Sequence, residues 1–262
     1  MDEKIRLGGM ALPNGVLVHG PTAWACAIRA PDGELQVAAE YKRFRVDEST
    51  PPFLRGPAKL VEALAILPAV RRALPEARLA FERPNVLGAM LASAAGVRVV
   101  RGSGRLGPAT QELLSSLLAF TPAVLALRGS ELAGYHGAEH VSIGSYEHGE
   151  PRPKEHERCG SHLLGPILAT TAVGNALATK APMPFRAAAR VGATIGSIAV
   201  STELFAWMAR NPEHRLAKAL RRPGHELQER LGTREPTPEQ LEVAEAALRA
   251  CLELEEDVAG DR

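Results

Sequence analysis

From Ser161 to Thr179 the chain carries no acidic or basic residue apart from His162. A helix built from such a run has no charged face to offer water, so it must be enclosed by protein or by lipid. Leu113 to Leu127 and Val191 to Thr202 repeat the pattern over shorter lengths. Gly165, Pro166, Asn175 and several threonines dilute the first run. Alanine-rich helices buried in a soluble, cytoplasmic protein are therefore the alternative to membrane spans.

The first fifty residues follow another pattern. Gly15 to His19, Ala23 to Arg29 and Glu34 to Tyr41 are rich in strand-forming residues, and Pro31-Asp32-Gly33 is a turn between the last two. A small antiparallel sheet is expected, its start punctuated by Gly8-Gly9, Asn14-Gly15 and Gly20-Pro21. After Pro51-Pro52 the spacing turns helical. Leu60, Leu64, Leu67, Val70 and Leu74 predict one apolar face, with Pro68 ending or kinking the helix. Val86 to Val100 reads as a second helix, Arg101 to Gly107 as a plain loop, and Ala109 to Leu127 as a helix interrupted at Pro122.

Gly129-Ser130 offers a stop and a new N-cap, so that Glu131 to about Ile143 forms a helix ended by Gly144. Gly149 to Pro153 is a loop, and segments from Ser161 and from Phe185 make two more helices joined by a turn at Lys180 to Pro184. Thr237-Pro238-Glu239-Gln240 is a capping box opening an amphipathic helix with Leu241, Ala244, Ala247, Leu248 and Cys251 on one face. The fold class is α+β. A β-rich part over residues 1–50 precedes a helical, membrane-embedded or buried body over 51–210 and a helical extension over 211–262.

Thirty-one basic against thirty acidic side chains leave no field to attract a nucleic acid. Cys26, Cys159 and Cys251 are odd in number and far apart, unlike a disulfide framework. At Met1 no basic start leads into a compact apolar core and a cleavage site, so no signal peptide is expected.

The chemistry concentrates in the middle. Five of the eight histidines lie between His136 and His162. His136 and His140 are four apart, hence stacked on one helix face with Glu139 beside them. In the inverted zinc motif H-x-x-E-H the histidines bind the metal and the glutamate activates water. A third ligand is needed, and Glu147, His156, Cys159 and Glu203 are the candidates. Glu203 ends a charge-free run, where an unpaired carboxylate is costly; pairing with Arg158 or Arg190 is its alternative. Cys159 with His162 lacks the setting of a nucleophile and base, and His19, His148, His162, His214 and His225 read as structural.

These residues bring out a resemblance. Gly8-Gly9, Gly15-Val16, Gly20-Pro21, Trp24 to Arg29, Phe53-Leu54-Arg55-Gly56, Tyr135 to His140, Tyr146-Glu147, His156, Arg158 to Ser161, Glu203, Thr233 to Pro236 and Leu241 to Ala244 resemble the YqhQ-like family, described as predicted metal-dependent enzymes. The resemblance implies a β-containing start, a helical remainder with membrane spans, and Glu147, His156, Arg158 and Cys159 in one site with the histidines. Asn14 and His19 depart from the family's expected glutamate and arginine.

The expectation is a hydrolase using a divalent metal, zinc first. His136 and His140 are ligands, Glu139 is the base, and Arg158 binds an anion or steadies developing negative charge. The substrate is a peptide, lipid or small molecule. Alternatives are an iron or manganese enzyme acting on a lipid-like molecule, and a non-catalytic membrane or scaffold protein.

Overall fold

The computed structural model describes residues 4–47, 49–128 and 130–260. Strands β1 (Gly8–Leu12), β2 (Gly15–His19), β3 (Ala23–Arg29) and β4 (Leu35–Tyr41) form an antiparallel sheet in sequence order. β1 is an addition to the expected strands. Its two glycines disguise it, yet Gly8 pairs with His19 and Gly9 with Val18. At the β3–β4 turn Gly33 has φ +90°, a conformation suited to glycine.

β2 and β3 are buried throughout apart from their last residues because the sheet is covered on both faces. Val16, Val18, Ala25 and Ala27 point to one face and meet helices α4 (Glu131–His148) and α8 (Pro238–Gly260) through Tyr135, Ile143, Val243 and Cys251. Leu17, Trp24, Cys26 and Ile28 point to the other and meet α1 (Arg55–Ala73) through Ile66, Ala69 and Val70. One core thus joins the start, the middle and the tail of the chain. α8 opens with the expected capping box: Thr237 N–H donates to Gln240 at 3.0 Å and Gln240 N–H to the Thr237 hydroxyl at 3.3 Å. Its buried face gains Val243, while Leu241 and Leu248 are only half-buried.

Several expectations about helices are corrected. α1 buries Glu62, Ile66, Ala69 and Val70, leaving Leu60 and Leu64 exposed, and it continues through Pro68. The reason is Lys42, whose buried ammonium draws Glu62 inward and rotates the covered face. α4 runs past Gly144 to His148, because the left-handed residue that ends it is Gly149, φ +73°. Ser130 holds the N-cap position, but its hydroxyl donates back to the Ala126 carbonyl at 2.7 Å. Gly129 lies outside the described residues.

Helices α2 (Pro84–Gly102) and α3 (Pro108–Leu127) pair, as do α5 (Leu164–Ala178) and α6 (Arg186–Arg210). α3 continues through Pro122. Much of what these helices bury is polar: Ser93, Glu112, Ser115, Asn175, Ser197 and Ser201. Asn175 donates to Glu112 at 2.6 Å, Arg101 pairs with Glu112 at 3.1 Å, and Thr170 bonds the Ser197 and Ser201 hydroxyls. Their exposed residues include Leu91, Val99, Leu113, Leu117, Val173 and Ile195. Thr110–Leu127 and Met183–Arg210 are long and apolar enough to cross a membrane. Core helices of soluble proteins pass that test too but are mostly buried, whereas these windows are 17% and 22% buried. The Ser161–Thr179 run supplies only a 15-residue helix, short for a span. A further helix, α7 (Arg215–Leu227), carries a basic face and leads through a π-turn at Gln228–Gly232 toward α8.

Candidate metal centre

α4 sits against β1 because the strand carries glycines where the helix presents its Glu139 side chain. A Cβ at Gly9 would overlap the Glu139 carboxylate, and one at Gly8 would come within 2.7 Å of the His19 ring. On other faces of α4, a Cβ at Gly137 would strike the Arg234 carbonyl and one at Gly134 the Gln240 side chain. Thr233 to Pro236, the residues just before α8, can therefore lie directly along the helix. Arg234 N–H donates to the Ala133 carbonyl at 2.9 Å.

That approach orients the histidines. His136 Nδ1 lies 2.7 Å from the Gly232 carbonyl and His140 Nδ1 lies 2.7 Å from the Lys154 carbonyl. A carbonyl only accepts, so each Nδ1 carries the proton and each Nε2 keeps its lone pair. The rings are 4.3 Å apart between centroids. Cys159 Sγ is 3.5 Å from His136 Nε2, and among the described residues His136, His140 and Cys159 offer ligand atoms all within 4.8 Å of one another. Such a set of two imidazoles and one thiol suits a borderline-soft divalent ion, and the carbonyls behind the rings are the outer contacts that a ligating histidine requires.

The electrostatics agree with a shielded site. Burial, then the neighbouring His136, holds the His140 ring far below the ordinary imidazole range, to about 2. Burial also pushes the Glu139 carboxyl up to about 7, with the Cys159 thiol acting the same way and His136 and the Ala11 N–H opposing. Glu139 Oε2 is buried without a hydrogen-bond partner. Burial likewise raises the Cys159 thiol, partly offset by its hydrogen bonds from Ser161. His136, Glu139, His140 and Cys159 line a cavity of about 480 Å³ together with His156, Arg158, Leu7, Met10, Leu127 and Leu132.

The other expected residues divide into near and far. His156 stands beside His140, with centroids 5.5 Å apart, but its Nε2 faces Glu147 at 3.2 Å. Arg158 holds the second Glu147 oxygen at 2.9 Å. Burial favours the neutral Glu147 acid, but the His156 hydrogen bond and the Arg158 charge outweigh it and keep the carboxyl low. Glu147 and His156 therefore form a hydrogen-bonded rim beside the cluster, with Arg158 as its cation. Glu203 is corrected outright: Arg55 grips both of its oxygens at 2.9 and 2.7 Å and the Phe53 N–H bonds it at 3.2 Å. The alternative reading, an arginine ion pair, holds, with Arg55 as the partner in place of Arg158 or Arg190. Phe53, with φ +68°, and Gly56, whose Cβ would overlap Thr202, shape that junction between the start of α1 and α6.

Some contributors carry no signal in a single sequence. His19, read as structural, lines the cavity and contacts Lys42 Nζ at 3.1 Å. Gln228, fully buried, bonds the His156 N–H at 3.0 Å and the Ser161 hydroxyl at 2.7 Å, tying the π-turn to the loop that carries Cys159. Asn14 is structural, bonding the Arg29 and Glu76 carbonyls and the Arg78 N–H. His148 caps its own helix through the Gly144 carbonyl, and His162 is buried against Arg221 and Gln228.

The segment that builds this centre is also the one that matches a family model. Residues 130–254 match a family model described as protein of unknown function (DUF1385). No curated protein and no solved structure matches the chain. The DUF1385 region begins at the N-cap of α4 and ends within α8, so it holds the histidines, Glu139, Glu147, His156, Arg158 and Cys159 together with the carbonyls of Lys154 and Gly232. β1, which closes the cavity opposite α4, lies outside it.

Proposed function

We propose that the protein is a metal-dependent hydrolase, with His136, His140 and Cys159 holding a divalent ion, zinc first among candidates. The observation that carries this reading is the pair of Nδ1–carbonyl contacts, which leave two Nε2 lone pairs beside the Cys159 sulfur. Zinc in such a set supplies Lewis acidity toward a carbonyl and lowers the pKa of water. Glu139 accepts the proton of the attacking water at Oε2, the oxygen that has no other partner. Arg158, at the cavity wall and braced by Glu147, faces negative charge developing on the substrate. The thiol counts against manganese, which prefers oxygen ligands.

Elemental analysis of the purified chain tests the site. Wild type is expected to hold one zinc, and His136→Ala with His140→Ala to hold almost none. Equally low metal in both would end the proposal. Glu139→Gln is expected to retain the ion while hydrolysis falls by about 10²- to 10⁴-fold; retained activity with retained metal favours a structural site.

We also propose that α3 and α6 reside in a membrane. Their exposed leucines, isoleucines and valines and the polar interior of the helices around them support this, since water would reverse that pattern. Extraction of cell membranes at high pH and high salt tests it: the chain is expected to stay in the pellet.

A further inference from the structure

We infer that the cavity takes an amphiphile with an acyl chain, presenting an ester or amide carbonyl next to an apolar tail. This substrate class rests on the metal-hydrolase and membrane readings above and adds to them where the tail goes.

The cavity lining holds two unlike sets of side chains. One is the His136, His140, Cys159 and Glu139 group, with His156 and Arg158 beside it; the other is Leu7, Met10, Leu127 and Leu132, without a charge among them. Hydrolysis needs only the first. The second offers apolar surface without a single directional group, which suits methylenes and gives a polar side chain nothing to bond. The position of that second set is equally specific. Leu127 is the last residue of the apolar window Thr110–Leu127, and exposed Arg128 follows at once. A helix that crosses a bilayer ends at the headgroup level, where a following arginine reaches water. The cavity therefore lies at the foot of α3, at the depth where the carbonyls of an amphiphile reside, while Leu113, Leu117 and Leu125 leave the outside of the same helix apolar. Ser161, also in the lining, lies just before α5, so the cavity borders the second helix pair as well.

The reaction balances with water as the one co-reactant. The water oxygen bonds to the acyl carbonyl carbon, and the bond from that carbon to the headgroup oxygen or nitrogen breaks with its electron pair. The proton taken by Glu139 Oε2 passes to the leaving atom. The products are a fatty acid and a free headgroup alcohol or amine.

The test uses the full chain, loaded with cobalt in phosphatidylcholine nanodiscs, and reads the visible cobalt bands. Hydroxamates with straight alkyl tails of increasing length are titrated against a dipeptide hydroxamate. Affinity is expected to rise severalfold with each methylene, about fourfold as the ceiling for full transfer from water. The slope is expected to flatten in Leu127→Gln, with Met10→Gln as a second variant should the first fail to fold. A flat series in wild type, or tighter binding of the dipeptide, overturns the inference. A slope undiminished in both variants also overturns it, because partition into the bilayer alone would do the same. If cobalt gives no bands, the metal reading fails by itself. Broadening of the Met10 methyl NMR signal by a spin-labelled fatty acid then decides the tail site in the metal-free chain: loss of the signal supports it, and an unchanged signal removes it.

Discussion

Glu139 and His19 show how much of this site depends on residues that have no chemistry of their own. Gly9 leaves the space that the Glu139 carboxylate fills, so Gly9→Ala is expected to displace the carboxylate while sparing the three ligand atoms. Metal content should then stay near wild type while turnover falls, a split readable by elemental analysis beside an activity assay. His19 makes a prediction about pH. Burial, and then the Lys42 charge, lower its pKa from 6.5 to about 4, against the opposing pull of Glu62. The folded protein keeps the ring neutral where the unfolded chain binds a proton, so stability present above pH 6.5 is lost as the pH falls toward 4. The loss from this residue is at most about 3 kcal/mol. Thermal unfolding of wild type and His19→Gln across that window should show a flatter slope in the variant. Nearby, the Lys42–Glu62 pair is almost wholly buried, and Lys42→Met leaves a carboxylate without its cation at a cost of about 3 to 5 kcal/mol in urea unfolding.

α4 is the element on which the site depends, and its glycines make it unusual. A glycine inside a helix costs about 1 kcal/mol relative to alanine. α4 keeps Gly137 because the Arg234 carbonyl occupies the place of a side chain. Gly137→Ala is therefore expected to push the 232–234 segment outward, break the His136–Gly232 contact and weaken metal binding about 10- to 100-fold. Competition with a chromophoric chelator measures that, and unchanged affinity would show that the carbonyl contact is dispensable. At α8, Thr237→Ala removes one half of the capping box and should cost about 1 kcal/mol. Both helices were partly legible. The i, i+4 histidines and the Thr-Pro-Glu-Gln opening are local patterns, and local patterns survive into the structure. The end of α4 was not, because Gly144 and Gly149 are equivalent letters until one of them adopts positive φ.

For the molecule as a whole, the inverted distribution of polar and apolar residues over α2, α3, α5 and α6 is the property with most consequence. Leu117 on α3 is 60% exposed, which makes it a probe of its surroundings. In lipid, Leu117→Glu costs about 2.5 to 3.5 kcal/mol and should sharply reduce the membrane-extracted yield; in water the same change is close to neutral. The antiparallel sheet, the helical body and the tail helix were all readable from period and punctuation, and so was the H-x-x-E-H helix. Strand β1 was not, since glycines reveal their purpose only through what approaches them. Nor could spacing choose among Glu147, His156, Cys159 and Glu203. Separations of 11, 20, 23 and 67 residues from His136 say nothing about distance in space, and only packing brings Cys159 into the cluster, turns Glu147 and His156 toward each other, and gives Glu203 to Arg55. The sequence by itself determined which side chains can bind a metal and that two of them share a helix face, because helix geometry is local. Tertiary structure alone decided which candidate joins the two histidines, which residues line the cavity and which carbonyls stand behind each ring, because those depend on chain segments distant in sequence meeting at a single point.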